Sequence, residues 1–193
     1  METPPLSPEL VVAAYCRGIF PMADEDGEIG WYSPDPRAVF PLDAFHVPRS
    51  LAKTIRQGRF EVRVDTAFEA VMRGCAEREV TWISEELVRV YVELHRLGLG
   101  HSVEAWRDGR LVGGLYGVAL GGAFMGESMF SREADASKVC LVALVERLRA
   151  RGFVLLDSQL ATEHLARFGQ VEIPRRDYLR RLRTALPLQC RFD

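Results

Sequence analysis

Apolar positions recur at helical spacing near the start of the chain, where Leu10, Val11, Ala14 and Tyr15 share one face. Ser7-Pro8-Glu9 ahead of them reads as an N-cap with proline in the first turn, and Gly18 as the stop. The period is lost over Phe20–Pro48, which is rich in proline and acidic residues. That stretch predicts irregular chain or short strands, and with the first helix it makes a small N-terminal lobe over residues 1–48, ahead of a larger domain over 49–193. A short helix is predicted from Arg49 to near Gly58, then an alternating strand over Phe60–Val64. Asp65 reads as the cap of a helix running through Cys75, and Ser84–Leu97 as an amphipathic helix stopped by Gly98.

From His101 the period changes to two. His101–Trp106, Arg110–Leu120 and Ala123–Phe130 read as three strands joined by tight turns at Arg107-Asp108-Gly109 and Gly121-Gly122. Asp135 reads as the cap of a long helix ending at Gly152. The apolar run Phe153–Asp157 reads as a buried strand, with helices near Ala161–Phe168 and after Pro174. A helix, a three-stranded meander, a long helix and a buried strand make an α+β arrangement. It resembles the central part of the GNAT-type acyltransferase fold, whose two middle strands splay apart around an acyl donor.

Composition narrows the class. The chain has 193 residues, 48% of them hydrophobic, and a formal net charge of −2, the chemistry of a soluble globular protein. The apolar run Val139–Val145 is far shorter than the roughly 20 residues a membrane helix needs, and Met1–Pro5 does not open a secretory signal, so a cytoplasmic location is expected. Cys16, Cys75, Cys140 and Cys190 are widely spaced, as are the four histidines, so neither a disulfide framework nor a metal site is expected.

Three groups of residues are candidates for chemistry. Glu127, between Met125 and Met129 on a predicted strand, either faces solvent or sits in a pocket for a cationic ligand. Asp157 and Gln159 either share a face at the end of the buried strand, or Asp157 or Ser158 caps a helix ahead of Leu160. Arg49, Lys53 and Arg56 line one helical face, either as a solvated surface or as a ridge for successive phosphates. Trp31, Tyr32 and Trp82 lie near turns, where a base could stack on one of them.

The segments Tyr15–Pro21, Trp31–Arg37, Gly126–Arg132, Ala136–Lys138, Asp157–Gln159 and Glu172–Leu179 resemble, in order, the leucyl/phenylalanyl-tRNA–protein transferase family. The resemblance implies a bacterial cytoplasmic enzyme of the N-degron pathway, with no cofactor and no metal. Such an enzyme moves leucine or phenylalanine, and methionine less well, from aminoacyl-tRNA to the N-terminal arginine or lysine of a protein. It implies Asp157 and Gln159 as the catalytic pair, Gln159 orienting the attacking amine and Asp157 fixing Gln159. It implies Glu127 as the reader of the acceptor's basic side chain, and Leu115, Phe124, Met129, Leu141, Leu144 and Leu156 as the aminoacyl pocket. Arg49, Lys53, Arg56 and Trp82 are implied in tRNA binding, with Tyr91 near the acceptor. Met22 and Ser158 stand where the family often has tryptophan and cysteine. A monomer is expected. The rival readings are an acetyl-CoA-dependent N-acetyltransferase, disfavoured by the lack of glycine in Ser131–Ser137, and a noncatalytic tRNA-binding module.

Overall fold

The caps written into the sequence form where the chain needs them. In a computed structural model describing residues 5–193, Ser7 Oγ accepts from the Leu10 amide and opens α1 (Pro8–Tyr15), and Gly18 ends that turn at φ +76°. Residues 1–4, part of the expected lobe and of the N-terminal reading, lie outside the described residues. A two-stranded ribbon follows, β1 (Phe20–Ala23) with β2 (Ile29–Tyr32), then β3 (Arg37–Phe40). Next come α2 (Arg49–Arg56), β4 (Glu61–Val64), α3 (Phe68–Ala76) and α4 (Glu85–Arg96), the last capped by Ser84. The meander is β5 (Gly100–Arg107), β6 (Arg110–Leu120) and β7 (Ala123–Ser131), followed by α5 (Ala136–Ala150) and β8 (Leu155–Gln159). The chain closes with α6 (Glu163–Ala166), β9 (Val171–Ile173) and α7 (Arg175–Ala185).

One mixed sheet of seven strands, in the order β4-β5-β6-β7-β8-β3-β9, organises the molecule. All its pairs are antiparallel except β7 with β8. One hydrophobic cluster draws on α1, α3, α4 and α7; the other draws on α2 and α5, with Phe192 among its members. The fold is α+β, as expected, and no helix among the described residues is long and apolar enough to cross a membrane.

Several expectations change. The strand β3, assigned to the lobe of residues 1–48, lies inside the large sheet between β8 and β9, so the sheet runs across that boundary. Asp65 does not cap α3: at φ +58° its carboxylate turns to His101 Nδ1 and the Ser102 amide, each at 2.8 Å. Buried Glu104 instead accepts from the Thr66 and Ala67 amides ahead of that helix. Asp135 stands at the N-cap of α5 without capping it, because its left-handed backbone points the carboxylate at Lys138 and Thr54. Ser131 Oγ takes the Ser137 amide in its place.

Candidate functional site

The two middle strands part company early. β7 and β8 are paired over only three positions, the last being Met125 with Asp157, and β7 then runs on to Ser131 without it. A cavity of about 450 Å³ occupies the resulting gap. It passes through the sheet: Leu115, Leu141, Leu144 and Leu156 come from the cluster on the α5 side, Met22, Trp82 and Tyr116 from the cluster on the α1 and α4 side. Met129 also lines it, so five of the six residues implied for an aminoacyl pocket converge there. Phe124 is the exception. It is fully buried and stacks on Phe192, with centroids 5.3 Å apart, as part of the core beneath.

A bulge delivers the first carboxylate. Gly117 pairs with Gly126 and Tyr116 with Ser128, so Glu127 is the extra residue between them. Such a bulge re-aims a side chain that simple alternation would place elsewhere. The result is that Gly126, Glu127, Ser128 and Met129 all line the cavity, while Met125, expected to share a face with Glu127, is wholly buried. Gly117 is required here because a Cβ would collide with the Met125 carbonyl. Glu127 Oε1 accepts from Gln159 Nε2 at 2.6 Å, and Oε2 accepts from the Tyr91 hydroxyl at 3.5 Å. The Tyr15 hydroxyl is 2.5 Å from that of Tyr91 and extends the chain inward. Burial pushes the Glu127 carboxyl up to about 7, with Asp157 adding to the rise. The nearby Tyr15 hydroxyl, the Gln159 hydrogen bond and the charge of Arg37 oppose it. Burial also holds the Tyr15 and Tyr91 phenols well above their ordinary range, so both remain protonated.

The second carboxylate is treated differently. The strand persists through Gln159, which settles the choice between strand end and helix cap in favour of the strand. Asp157 is fully buried and accepts four hydrogen bonds. Arg37 Nε (2.9 Å) and the Gln159 amide (2.9 Å) reach Oδ1; Arg37 Nη2 (2.6 Å) and the Tyr178 hydroxyl (2.8 Å) reach Oδ2. A carboxylate offers about four acceptor sites, so none is left for substrate. Asp157 thus fixes Gln159 through the main chain, not through the side chain. Gln159 has φ +64°, a conformation that costs a non-glycine residue roughly 1–3 kcal/mol, and the hydrogen bond its main-chain N–H donates to Asp157 holds it there. Its side-chain amide donates to Glu127, and among the described residues no donor reaches its carbonyl oxygen.

Arg37 escaped the sequence reading, although it lies inside a recognised motif. It is fully buried, sandwiched between the Phe20 and Tyr178 rings at 4.8 and 4.4 Å, and donates to the Gly18 carbonyl as well. The only signal was a charged residue at the head of the apolar strand Ala38-Val39-Phe40, 120 residues from its partner. Tyr178 was hidden in the same way. Arg78 was also missed; it lines the cavity and donates to the Met129 carbonyl at 2.7 Å.

The remaining candidates divide. Arg49, Lys53 and Arg56 stand exposed on α2, and none enters an ion pair among the described residues. Thr54 on the same helix reaches Asp135 at the start of α5, the helix that supplies Leu141 and Leu144 to the cavity. Trp82 is a half-buried part of the cavity wall, whereas Trp31 and Tyr32 are exposed on β2 away from the cavity lining. Among the described residues no cluster of histidine, cysteine or acidic side chains is arranged to hold a metal ion. The start of α5, where an acetyltransferase would cradle a pyrophosphate, carries the Asp135 carboxylate, and the Ser137 amide there is taken by Ser131.

Residues 39–183 match the leucyl/phenylalanyl-tRNA protein transferase family, and residues 5–35 match its N-terminal domain. The chain is similar to the leucyl/phenylalanyl-tRNA–protein transferases of Gloeobacter violaceus (62% identical, covering 97% of each chain) and Rubrobacter xylanophilus (63% identical, 97% of this chain and 98% of the relative). That of Herpetosiphon aurantiacus is 60% identical over the same shares. Among solved structures, a GCN5-related N-acetyltransferase-like protein from Streptococcus suis is 14% identical with a TM-score of 0.42, over 86% of this chain and 63% of that one. On the strength of the family match and of relatives aligned over nearly its whole length, the chain belongs to the leucyl/phenylalanyl-tRNA–protein transferase family.

Proposed function

We propose that this protein is an aminoacyl-tRNA–protein transferase that moves a leucyl or phenylalanyl group, and a methionyl group less well, onto the α-amine of a protein beginning with arginine or lysine. The observation that carries the reading is one cavity with an apolar half and a polar half meeting at the Glu127–Gln159 contact. Leu115, Met129, Leu141, Leu144 and Leu156 hold the donor side chain. Glu127 takes the acceptor's basic side chain, and Gln159 lies between them.

The reaction is aminolysis of an ester. The amine nitrogen bonds to the aminoacyl carbonyl carbon, the carbon–oxygen bond to the ribose breaks, and the proton lost by the amine ends on the ribose oxygen. An α-amine has a pKa of about 7.7–8.0, so an appreciable fraction is already neutral and no strong base is required. Asp157 has no free acceptor site and is a positioning residue. The Gln159 carbonyl oxygen accepts a hydrogen bond from the attacking amine and aims its lone pair at the ester, so the acceleration comes chiefly from orientation. An apolar pocket excludes polar side chains but separates apolar ones weakly, since one methylene is worth about 1–3 kcal/mol. That suits a donor range of leucine, phenylalanine and methionine.

Arg49, Lys53 and Arg56 supply sequence-independent contacts to the tRNA phosphates, with Trp82 at the cavity end of the same substrate. The enzyme works as a cytoplasmic monomer whose product enters N-degron degradation. The test is transfer of radiolabelled leucine from charged tRNA to an Arg-headed peptide. Leucyl transfer without added ATP or metal is expected; no transfer, or acetyl transfer from acetyl-CoA to the same peptide, would overturn the reading.

A further inference from the structure

A buried hydroxyl without a partner is uncommon in a folded protein, and each one calls for an explanation. Among the described residues the Tyr116 hydroxyl is the one buried side-chain polar atom that has none. Packing does not explain it, because phenylalanine would fill the same space against Phe68 and Tyr91 without stranding an oxygen. Its position is telling. Tyr116 is wholly buried, and it forms part of the cavity wall. It pairs with Ser128 directly beside the bulge that projects Glu127. Its ring meets Tyr91 edge-on at 6.0 Å, and Tyr91 itself donates to Glu127.

We infer that the Tyr116 hydroxyl oxygen is a second acceptor for the basic side chain of the incoming protein's first residue, sharing that side chain with Glu127. The inference rests on the proposed reading of Glu127 as the group that meets this side chain. A guanidinium carries five N–H donors and an ammonium three, with no acceptor on either. Glu127 already receives Gln159 on one oxygen and Tyr91 on the other, so it cannot satisfy a desolvated cation alone. A phenol adds an acceptor without adding charge. Burial and the nearby Glu127 charge keep the Tyr116 phenol protonated, which preserves that neutral role.

Tyr116→Phe and Glu127→Gln would be compared in steady-state leucyl transfer to an Arg-headed peptide, with affinity for leucyl-tRNA and Tm measured on the same preparations. Tyr116→Phe is expected to raise the peptide KM by about 10- to 100-fold, the size of a hydrogen bond to a charged group. Its kcat, tRNA affinity and Tm should stay at wild-type values, or Tm should rise. An unchanged KM would overturn the inference, and so would a parallel loss of kcat, tRNA affinity or Tm, which would make the hydroxyl structural. If Glu127→Gln leaves the peptide KM unchanged, the underlying reading of Glu127 fails. A large effect in Glu127→Gln with none in Tyr116→Phe removes the tyrosine alone.

Discussion

The two halves of the cavity, one on each face of the sheet, are built on opposite principles. On the α5 face, leucines packed as in any core leave a space whose walls ask only that the occupant be apolar and fit. On the α1 and α4 face, tyrosines and two carboxylates form a network in which each group's state depends on its neighbours. Even within that half the carboxylates differ. Asp157 is saturated by Arg37, Tyr178 and a main-chain amide, whereas Glu127 holds one short contact, one long one and a carboxyl raised to about 7. A locked group positions; a loosely held one is available to a substrate. Shape selection tolerates several donors, while a polar site rejects whatever leaves its groups unpaired.

The sharpest way to break this contrast is to unlock Asp157. Arg37→Met leaves a fully buried carboxylate without its cation, and loss of one partner of such a pair typically costs about 3–5 kcal/mol. A large drop in Tm together with loss of transfer is expected. Arg37→Met combined with Asp157→Leu should recover much of the Tm but not the transfer rate, because no acceptor would remain for the Gln159 amide. A double variant with normal turnover would show that the lock is dispensable.

Glu127 offers a smaller and pH-dependent effect. Its carboxyl titrates near 7 in the folded chain, against an ordinary value of 4.5. The folded state therefore binds more protons than the unfolded one between those values, and stability falls as pH rises through that window. The groups facing it are Tyr15 on α1, Tyr91 on α4, Tyr116 on β6, Arg37 on β3, and Asp157 and Gln159 on β8. Ionisation is what a cationic side chain needs, so the KM for an Arg-headed peptide should fall severalfold from pH 6 to pH 8. Glu127→Gln should flatten both dependences, as seen in Tm and KM measured across that range.

The least effect belongs to the apolar half. Leu144→Ala widens the pocket, and the ratio of phenylalanyl to leucyl transfer in a competition assay should rise a few-fold. A switch to polar donors instead would mean that the wall does more than exclude water.

Local chemistry made much of this molecule readable in advance. Ser7 and Ser84 cap helices because their hydroxyls satisfy amides three residues away, and Asp108-Gly109 turns a hairpin because both take positive φ. Leu115, Met129, Leu141, Leu144 and Leu156, to which the family resemblance pointed, line one cavity, and Glu127 and Gln159 meet in it. Phe124, which the family resemblance also implied for that pocket, is instead covered by Phe192 from the C-terminal end, a contact that no local motif encodes. Asp65 and Asp135 were read as caps because their spacing allows it, but left-handed backbones turned both carboxylates elsewhere.

What the sequence alone determined was therefore whatever depends on neighbours a few residues apart: the caps, the hairpin turns, the apolar faces and the motifs of the family. Only the tertiary structure decided that Arg37 crosses to Asp157, that β3 enters the large sheet, that one bulged residue turns Glu127 into the cavity, and that the Tyr116 hydroxyl finds no partner among the described residues. These follow from strand register and from contacts between residues far apart in the chain. Such contacts are chosen by the packing of the whole sheet, and no local pattern encodes them.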